Sequence, residues 1–193
     1  MVNSHEPMGV CHDAGSYILN QNQKEGGRLA ETLYFAYGSN MNENQMAFRC
    51  PDAQVVGTVR LEGYRLTFAG NGGGRGVATI LPEKGNYVDG VLWRISARDE
   101  QYLDRYEGFP LLYGKETVSV RASDGKQIPV MAYTMNAPYR DVPALPSWEY
   151  LNGIITGCWQ HQIDSWPVQK AAENARQTPS RQIPVRKKQN RER

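Results

Sequence analysis

The chain has 193 residues, 40% of them hydrophobic, which suits one folded domain with its own core plus terminal extensions. The cysteines Cys11, Cys50 and Cys158 show no CxxC pairing and no metal-ligand spacing, which argues against a disulfide framework or a zinc site. The net charge of +2 is uneven: Lys170 to Arg193 hold eight Lys/Arg and two Asp/Glu, whereas the remaining residues hold 14 and 18.

The N-terminal stretch MVNSHEPMGVCHD lacks the basic and apolar regions of a signal peptide, and no apolar run is long enough to span a membrane. We therefore expect a cytoplasmic protein. Residues 1–31 carry few apolar side chains, which predicts a disordered N-terminal arm. The folded domain is expected over residues 32–167, followed by a basic disordered tail over 168–193.

The predicted elements begin with a buried strand at Leu33 to Tyr37. A short helix is expected to follow, with Asn40 as its N-cap and Glu43 three residues later. Four further strands are predicted for VVGTVRL, YRLTFAG, GVATIL and YVDGVLWRI, the first two joined by a hairpin-like link at Gly63.

The second half continues with a helix whose start is marked by the capping-box pair Ser96 and Asp99. ETVSVRA and QIPVMAYTM flank Asp124-Gly125, a strong hairpin signal, and Ser147 is expected to cap a third helix. About seven strands with three helices argue against a doubly wound parallel sheet. The sequence predicts an α+β fold, a small mixed β-barrel or strongly curled sheet with peripheral helices.

Gly38-Ser39-Asn40 ends the first strand, and two interpretations compete there. Gly, Ser and Asn are common where a strand turns, so the segment is explained by a turn alone. Alternatively, the strand end holds backbone N–H groups open to a carboxylate or an oxyanion.

The block Leu103 to Pro110 holds a second candidate, Glu107, in the predicted last turn of a helix. A carboxylate is disfavoured at this end of the helix dipole, and Gly108 after it is expected to end the helix. Desolvation between Tyr106 and Phe109 would raise the pKa of Glu107 and suit it to general-base work. A solvated helix-end glutamate is the competing interpretation, and Asp104 is either a second participant or a surface charge.

The glycine-rich segment and the basic C-terminal residues are weaker candidates for a functional site. Asn71 to Gly76 contains four glycines but lacks the P-loop and dinucleotide-binding patterns, so it is predicted to be a loop in which Arg75 is solvated. The basic residues of Arg181 to Arg193 have no interleaved aromatics, so nucleic acid is not expected as a partner. No Ser/His/Asp or Cys/His set can be assembled, and any enzyme here depends on carboxylate and backbone donors.

Four blocks together resemble the γ-glutamylcyclotransferase (AIG2-like) family: YFAYGSN, GVATI, LDRYEG with Tyr113 after it, and PSWEYLNGIITG. The resemblance runs from residue 33 to about residue 165. It implies a small mixed barrel with one cavity and an enzyme that cyclises a γ-glutamyl group to 5-oxoproline and releases the attached amine. It also implies Glu107 as catalytic residue and a further set of substrate-binding residues: Tyr34, Phe35, Ala36, Tyr37, Gly38, Ser39, Asn40 and Tyr150.

The implied reaction joins two groups of one substrate molecule, so no metal or cofactor is expected. The expected partner is a small γ-glutamyl compound, and both a monomer and a homodimer remain open. The YGSN sequence resembles the branch acting on γ-glutamyl amino acids and the relatives that deprotect γ-glutamylated metabolites. Two alternatives remain: a deprotecting cyclotransferase of a biosynthetic pathway, and a non-catalytic small-molecule-binding protein.

Overall fold

The computed structural model describes residues 31–70 and 75–177. Five strands lie in these ranges: β1 (Glu31–Ala36), β2 (Gln54–Gly70), β3 (Gly76–Ser96), β4 (Tyr113–Arg121) and β5 (Gln127–Met135). They form a closed barrel in the order β1-β3-β2-β4-β5, in which β1 and β5 are parallel and the other neighbours antiparallel. The predicted α+β class, a mixed barrel with peripheral helices, is confirmed.

Four α-helices lie in the same ranges: α1 (Glu43–Arg49), α2 (Ala97–Glu107), α3 (Trp148–Gln160) and α4 (Trp166–Gln177). Two 3₁₀-helices, Ser39–Met41 and Tyr139–Asp141, connect other elements. Among these described residues, no helix has the length and apolar character needed to span a bilayer.

The barrel interior and the inner faces of the helices form one apolar core. The largest side chains in it are almost completely buried: Phe35, Phe68, Met41, Met46, Leu61, Leu92, Ile95, Leu103, Met135 and Ile154. Each such side chain contributes about 1.5–3 kcal/mol when it is removed from water. Leu103 holds α2 against the barrel, and Met41 and Ile154 bring the end of β1 and α3 into the same core.

The prediction of seven strands is wrong because two pairs of predicted strands are continuous. β2 runs through Gly63, where the expected hairpin is an irregularity in the pairing with β3: Glu62 lies opposite Tyr87, and Tyr64 lies opposite Pro82. Gly63 has a φ of 77°, a conformation that glycine adopts at an irregular point of a strand as well as in a turn. The second expected hairpin, at Asp124-Gly125, is confirmed between β4 and β5.

The helix starts were predicted with mixed success. Ser96 and Asp99 form the expected capping box, and the Ser147 side chain accepts from the Tyr150 N–H. Asn40 is not the N-cap of α1, however. The cap is Asn42, whose side chain accepts from the Gln45 N–H, so the Asn40 side chain is left for other partners.

The predicted disordered tail over 168–193 is wrong for its first ten residues, which belong to α4. The buried residues of α4 follow the spacing of one helix face: Val168, Ala171, Ala172 and Ala175. Three of the four are alanines, which gave too weak an apolar signal for the periodicity to be recognised. The rest of the tail, 178–193, and the predicted N-terminal arm up to residue 30 lie outside the described residues, and Glu31 opens β1.

Candidate active site

The segment after β1 turns sharply beneath the helices. Ser39 and Asn40 are buried in a short 3₁₀-helix, closed by the Met41 N–H donating to the Gly38 carbonyl at 3.0 Å. Among the described residues, no hydrogen bond is donated by the backbone N–H groups of Gly38, Ser39 or Asn40. These N–H groups therefore remain available to an anionic group of a ligand.

The Asn40 side chain links this segment to Glu107. Its amide nitrogen donates to the Tyr34 hydroxyl at 2.8 Å and to Glu107 Oε1 at 2.9 Å. Asn40 thus joins the segment after β1 to the end of α2, 67 residues away in sequence, and a Ser39 Oγ–Tyr106 hydroxyl contact at 3.4 Å lies beside this link.

Glu107 is the last residue of α2, as predicted, and Gly108 follows it in the left-handed conformation at a φ of 67°. Burial raises the pKa of the Glu107 carboxyl from 4.5 to about 7, and the Asn40 hydrogen bond and the Arg49 charge partly oppose that rise. None of the ion pairs among the described residues includes Glu107. The carboxyl is therefore poised to exchange a proton near neutral pH.

Glu107 faces a cavity of about 260 Å³ at this end of the barrel. The lining residues are Tyr34, Tyr37, Gly38, Ser39, Asn40, Val77, Ala78, Tyr106, Glu107, Leu112, Tyr113, Tyr133 and Tyr150. All but two of the sequence-predicted site residues are among them. Phe35 and Ala36 do not line the cavity: both are buried in the core.

Six tyrosines line the cavity, and five of them fall into two groups by the role of their hydroxyls; the sixth, Tyr106, has its hydroxyl 3.4 Å from Ser39 Oγ, where either oxygen can donate. The Tyr37 and Tyr113 hydroxyls donate to backbone carbonyls, and the Tyr133 hydroxyl donates to Asp104 Oδ1 at 2.6 Å. The Tyr34 and Tyr150 hydroxyls instead accept, from the Asn40 amide and from the Ala78 N–H.

Burial and the charge of Glu107 hold the pKa of Tyr34 above the ordinary tyrosine range, and burial does the same for Tyr150. Both side chains therefore stay protonated. Because each hydroxyl accepts from the protein, its own hydrogen is free to be donated to a ligand in the cavity.

A close approach between α3 and the end of β1 sets the position of Tyr150. A side chain at Gly157 would come within 2.8 Å of the backbone of Met41 and Asn42, so only glycine allows this packing. Tyr150, on the same helix, lies beside Gly38: the methyl group of an alanine in place of this glycine would be 3.6 Å from the Tyr150 hydroxyl.

Arg49 is a site residue that the sequence did not single out. Its guanidinium donates to Asn40 Oδ1 at 2.5 Å, to Ser39 Oγ at 3.2 Å and to Gln45 Oε1 at 2.7 Å. It also lies over the Tyr106 ring, 3.8 Å from the ring centre. An arginine at the end of an ordinary amphipathic helix carries no distinctive sequence signal.

Asp104 lies outside the cavity and is paired. Its carboxylate accepts from the Tyr133 hydroxyl and lies 2.8 Å from Lys115 Nζ, which also contacts Glu100 at 2.6 Å. Of the glycine-rich loop, Asn71 to Gly74 lie outside the described residues, and Arg75 is exposed.

A closed mixed barrel with a carboxylate-centred, tyrosine-lined cavity defines a small barrel protein with a polar ligand site. Residues 34–159 match the family described as gamma-glutamyl cyclotransferase, AIG2-like. The chain belongs to this family.

Relatives named gamma-glutamylcyclotransferase from Bos taurus and Homo sapiens are each 34% identical over 139 residues, which cover 68% of this chain and 72% of theirs. A solved structure titled gamma-glutamyl cyclotransferase gives a TM-score of 0.64 at 26% identity and covers 80% of this chain and 92% of its own. A crystal structure of the human protein loc79017 gives 0.62 at 28% identity, covering 79% and 90%. The resemblance stated from the four sequence blocks is confirmed.

Proposed function

We propose that the protein is a γ-glutamylcyclotransferase that converts a γ-glutamyl amino acid or a related γ-glutamyl amide to 5-oxoproline and a free amine. The observation that carries the proposal is Glu107: a carboxyl with a pKa of about 7, without an ion-pair partner among the described residues, in a cavity beside open backbone N–H groups. Family membership and the names of the relatives support it.

The glutamyl group binds with its α-carboxylate toward the N–H groups of Gly38, Ser39 and Asn40. Backbone N–H groups without partners suit a carboxylate because each can contribute a charge-assisted hydrogen bond. Tyr34 and Tyr150 donate their hydroxyl hydrogens to the remaining oxygens of the substrate. The substrate is thereby held in a folded conformation, with its α-amine close to its own γ-carbonyl carbon.

The reaction is an intramolecular aminolysis. The Glu107 carboxylate accepts a proton from the α-amino group, whose nitrogen forms a bond to the γ-carbonyl carbon. The tetrahedral intermediate collapses, the bond to the leaving nitrogen breaks, and protonated Glu107 returns the proton to the departing amine. Positioning two reacting groups of one molecule can supply effective molarities up to about 10⁵–10⁸ M, so one proton-transfer group and hydrogen-bond donors suffice.

The cellular setting is part of the proposal. Cys50 and Cys158 are buried free thiols, which fits a reducing compartment such as the cytoplasm. The substrate is a small molecule, and neither nucleic acid nor a membrane takes part in the reaction.

The test is release of 5-oxoproline from a panel of γ-glutamyl compounds, with Glu107→Gln assayed in parallel. The panel holds γ-glutamyl amino acids, γ-glutamyl amines, glutathione and larger γ-glutamyl amides. Turnover of γ-glutamyl amino acids by the wild type but not by the variant supports the proposal. Turnover of only the larger amides favours the deprotecting alternative, and tight binding without turnover of any compound favours a binding protein.

A further inference from the structure

We propose that Arg49 is a positioning residue that fixes the direction of the Asn40 amide, so that Glu107 receives a hydrogen bond and the Tyr34 hydroxyl is free to donate to the substrate. This inference deepens the proposed function and rests on it for its catalytic part. The geometric part stands on the contacts alone.

The amide of Asn40 has a nitrogen that donates and an oxygen that accepts. Arg49 requires an acceptor, whereas the Glu107 carboxylate requires a donor. Arginine can only donate, so the Asn40 oxygen must face the Arg49 guanidinium, which lies 2.5 Å away. The amide nitrogen then faces the opposite way, toward Tyr34 and Glu107. A reversed amide would place N–H groups against the guanidinium and an oxygen against the Glu107 carboxylate, and both contacts would be repulsive.

The direction of this amide sets the direction of the next hydroxyl. Because the Tyr34 hydroxyl accepts from Asn40, its own hydrogen points elsewhere, and Tyr34 lines the cavity. The order Arg49, Asn40, Tyr34 is thus a chain of hydrogen bonds that leads from a cation outside the cavity to a donor inside it.

Arg49 is held firmly enough to serve this purpose. Its three hydrogen bonds go to neutral side chains, and none of the ion pairs among residues 31–70 and 75–177 includes it. Stacking on Tyr106 fixes the plane of the guanidinium, which lysine cannot reproduce. A guanidinium that forms no ion pair also leaves its positive charge to act on Glu107.

Among the charged and titratable groups that face Glu107 in the described residues, Arg49 is the cation whose charge acts on the Glu107 carboxyl. Facing groups are Tyr34 on β1, Tyr37 after it, Tyr113 on β4, Tyr133 on β5, Tyr150 on α3, and Arg49 and Cys50 at the end of α1. The hydroxyls and the thiol stay neutral because burial raises their pKa values. Lys115 is paired with Glu100 and Asp104 instead.

The first experiment measures Glu107 directly in the full chain, without substrate. The protein is labelled with ¹³C at glutamate side chains, the Glu107 carboxyl signal is assigned with Glu107→Gln, and its chemical shift is followed with pH. Arg49→Met is expected to raise the midpoint of the Glu107 titration by on the order of one pH unit. The control is Arg98→Met, which is expected to leave the midpoint unchanged. Arg98 lies on the same helix as Glu107, but it is exposed and paired with Asp52. Equal midpoints in wild type and Arg49→Met overturn the proposal.

Arg49→Lys covers the case in which Arg49→Met does not fold, as judged by circular dichroism. Lysine keeps the positive charge but lacks the planar guanidinium and its stacking on Tyr106. The Glu107 midpoint of Arg49→Lys is therefore expected to lie between those of the wild type and Arg49→Met, and its activity is expected to be lower than that of the wild type. Wild-type behaviour of Arg49→Lys in both measurements overturns the role of the guanidinium geometry.

The second experiment tests the catalytic part with a double-mutant cycle. Arg49→Met and Asn40→Ala are each expected to lower kcat/KM about tenfold, and the double variant should lose no more than either alone, since both act through one amide. Losses that multiply would show independent roles and contradict the proposal. If the wild type turns over no γ-glutamyl compound, the proposed function fails, while the titration still decides the role of Arg49.

Discussion

Two carboxylates lie one turn apart on α2 in opposite surroundings. Asp104, on the outer side, contacts Lys115 and the Tyr133 hydroxyl and belongs to an ion-pair cluster with Glu100. Glu107, at the cavity, accepts from the neutral Asn40 amide instead. Asp104 therefore ties α2 to Lys115 of β4 and Tyr133 of β5, whereas the buried Glu107 carboxyl, which has no ion-pair partner among the described residues, has the raised pKa that proton transfer needs.

Of the variants at these two carboxylates, Glu107→Gln is expected to have the largest effect. Glutamine keeps the shape and can still accept from Asn40, but it cannot take the proton from the attacking amine. General-base removal typically costs about 10²–10⁴-fold, so we expect kcat for 5-oxoproline release to fall by that factor while KM changes little. Near-wild-type turnover in a folded variant would mean that the base is another group.

The same substitution should stabilise the protein above neutral pH. The folded-state pKa of Glu107, about 7, lies above its ordinary value of 4.5, so the native state holds the proton more tightly between these values. Stability therefore falls as pH rises through this window, and the penalty is complete above it. At 1.36 kcal/mol per unit, the penalty is about 3 kcal/mol.

Urea unfolding of wild type and Glu107→Gln checks this expectation at two pH values. At pH 8 the variant should be more stable by up to that amount, and at pH 4 the two should converge. An equal difference at both pH values would show that the glutamate is not destabilised by burial of its charge.

Gly38→Val tests the other wall of the cavity. A side chain at Gly38 would lie beside Ala78 and the Tyr150 hydroxyl, both of which line the cavity. We expect KM to rise and kcat to fall, with kcat/KM lower by on the order of 10²-fold, because small displacements of a bound substrate cost that much. Unchanged kinetics would leave Gly38-Ser39-Asn40 as a turn without a binding role.

The barrel and the polar ends of its elements could largely be predicted from the sequence, since strand patterns and capping residues are local. Ser96, Ser147, Gly108 and the Asp124-Gly125 hairpin all follow from local chemistry. The hairpin predicted at Gly63 is wrong because a glycine with positive φ occurs both in turns and at irregular points of a strand, and pairing with a distant strand decides between them.

In the site, too, local sequence predicts some residues, whereas others depend on contacts between distant segments. Glu107 could be singled out because a carboxylate opposes the helix dipole at its position. The prediction of Asn40 as a helix N-cap is wrong, since Asn42 two residues later has the same capping chemistry, whereas its predicted place at the ligand site agrees with its position in the cavity wall. Arg49 could not be found, because its role depends on where β1 and α2 meet in three dimensions.

The mildest expected effect, and the matched control for Glu107→Gln, is Asp104→Asn. Asparagine Oδ1 can still accept from the Tyr133 hydroxyl, and Lys115 keeps Glu100 at 2.6 Å, so neither partner loses all its contacts. These side chains are about one quarter exposed, which limits the loss of stability to about 1 kcal/mol.

Because Tyr133 is the cavity residue that Asp104 contacts within the described part of the chain, we expect kcat to stay within about threefold of wild type, far from the 10²–10⁴-fold cost of losing a base. Parallel kinetics and urea unfolding measure both quantities. A loss of activity as large as that of Glu107→Gln, at unchanged stability, would make Asp104 the proton-transfer group. It would also remove the distinction between the paired and the unpaired carboxylate of α2.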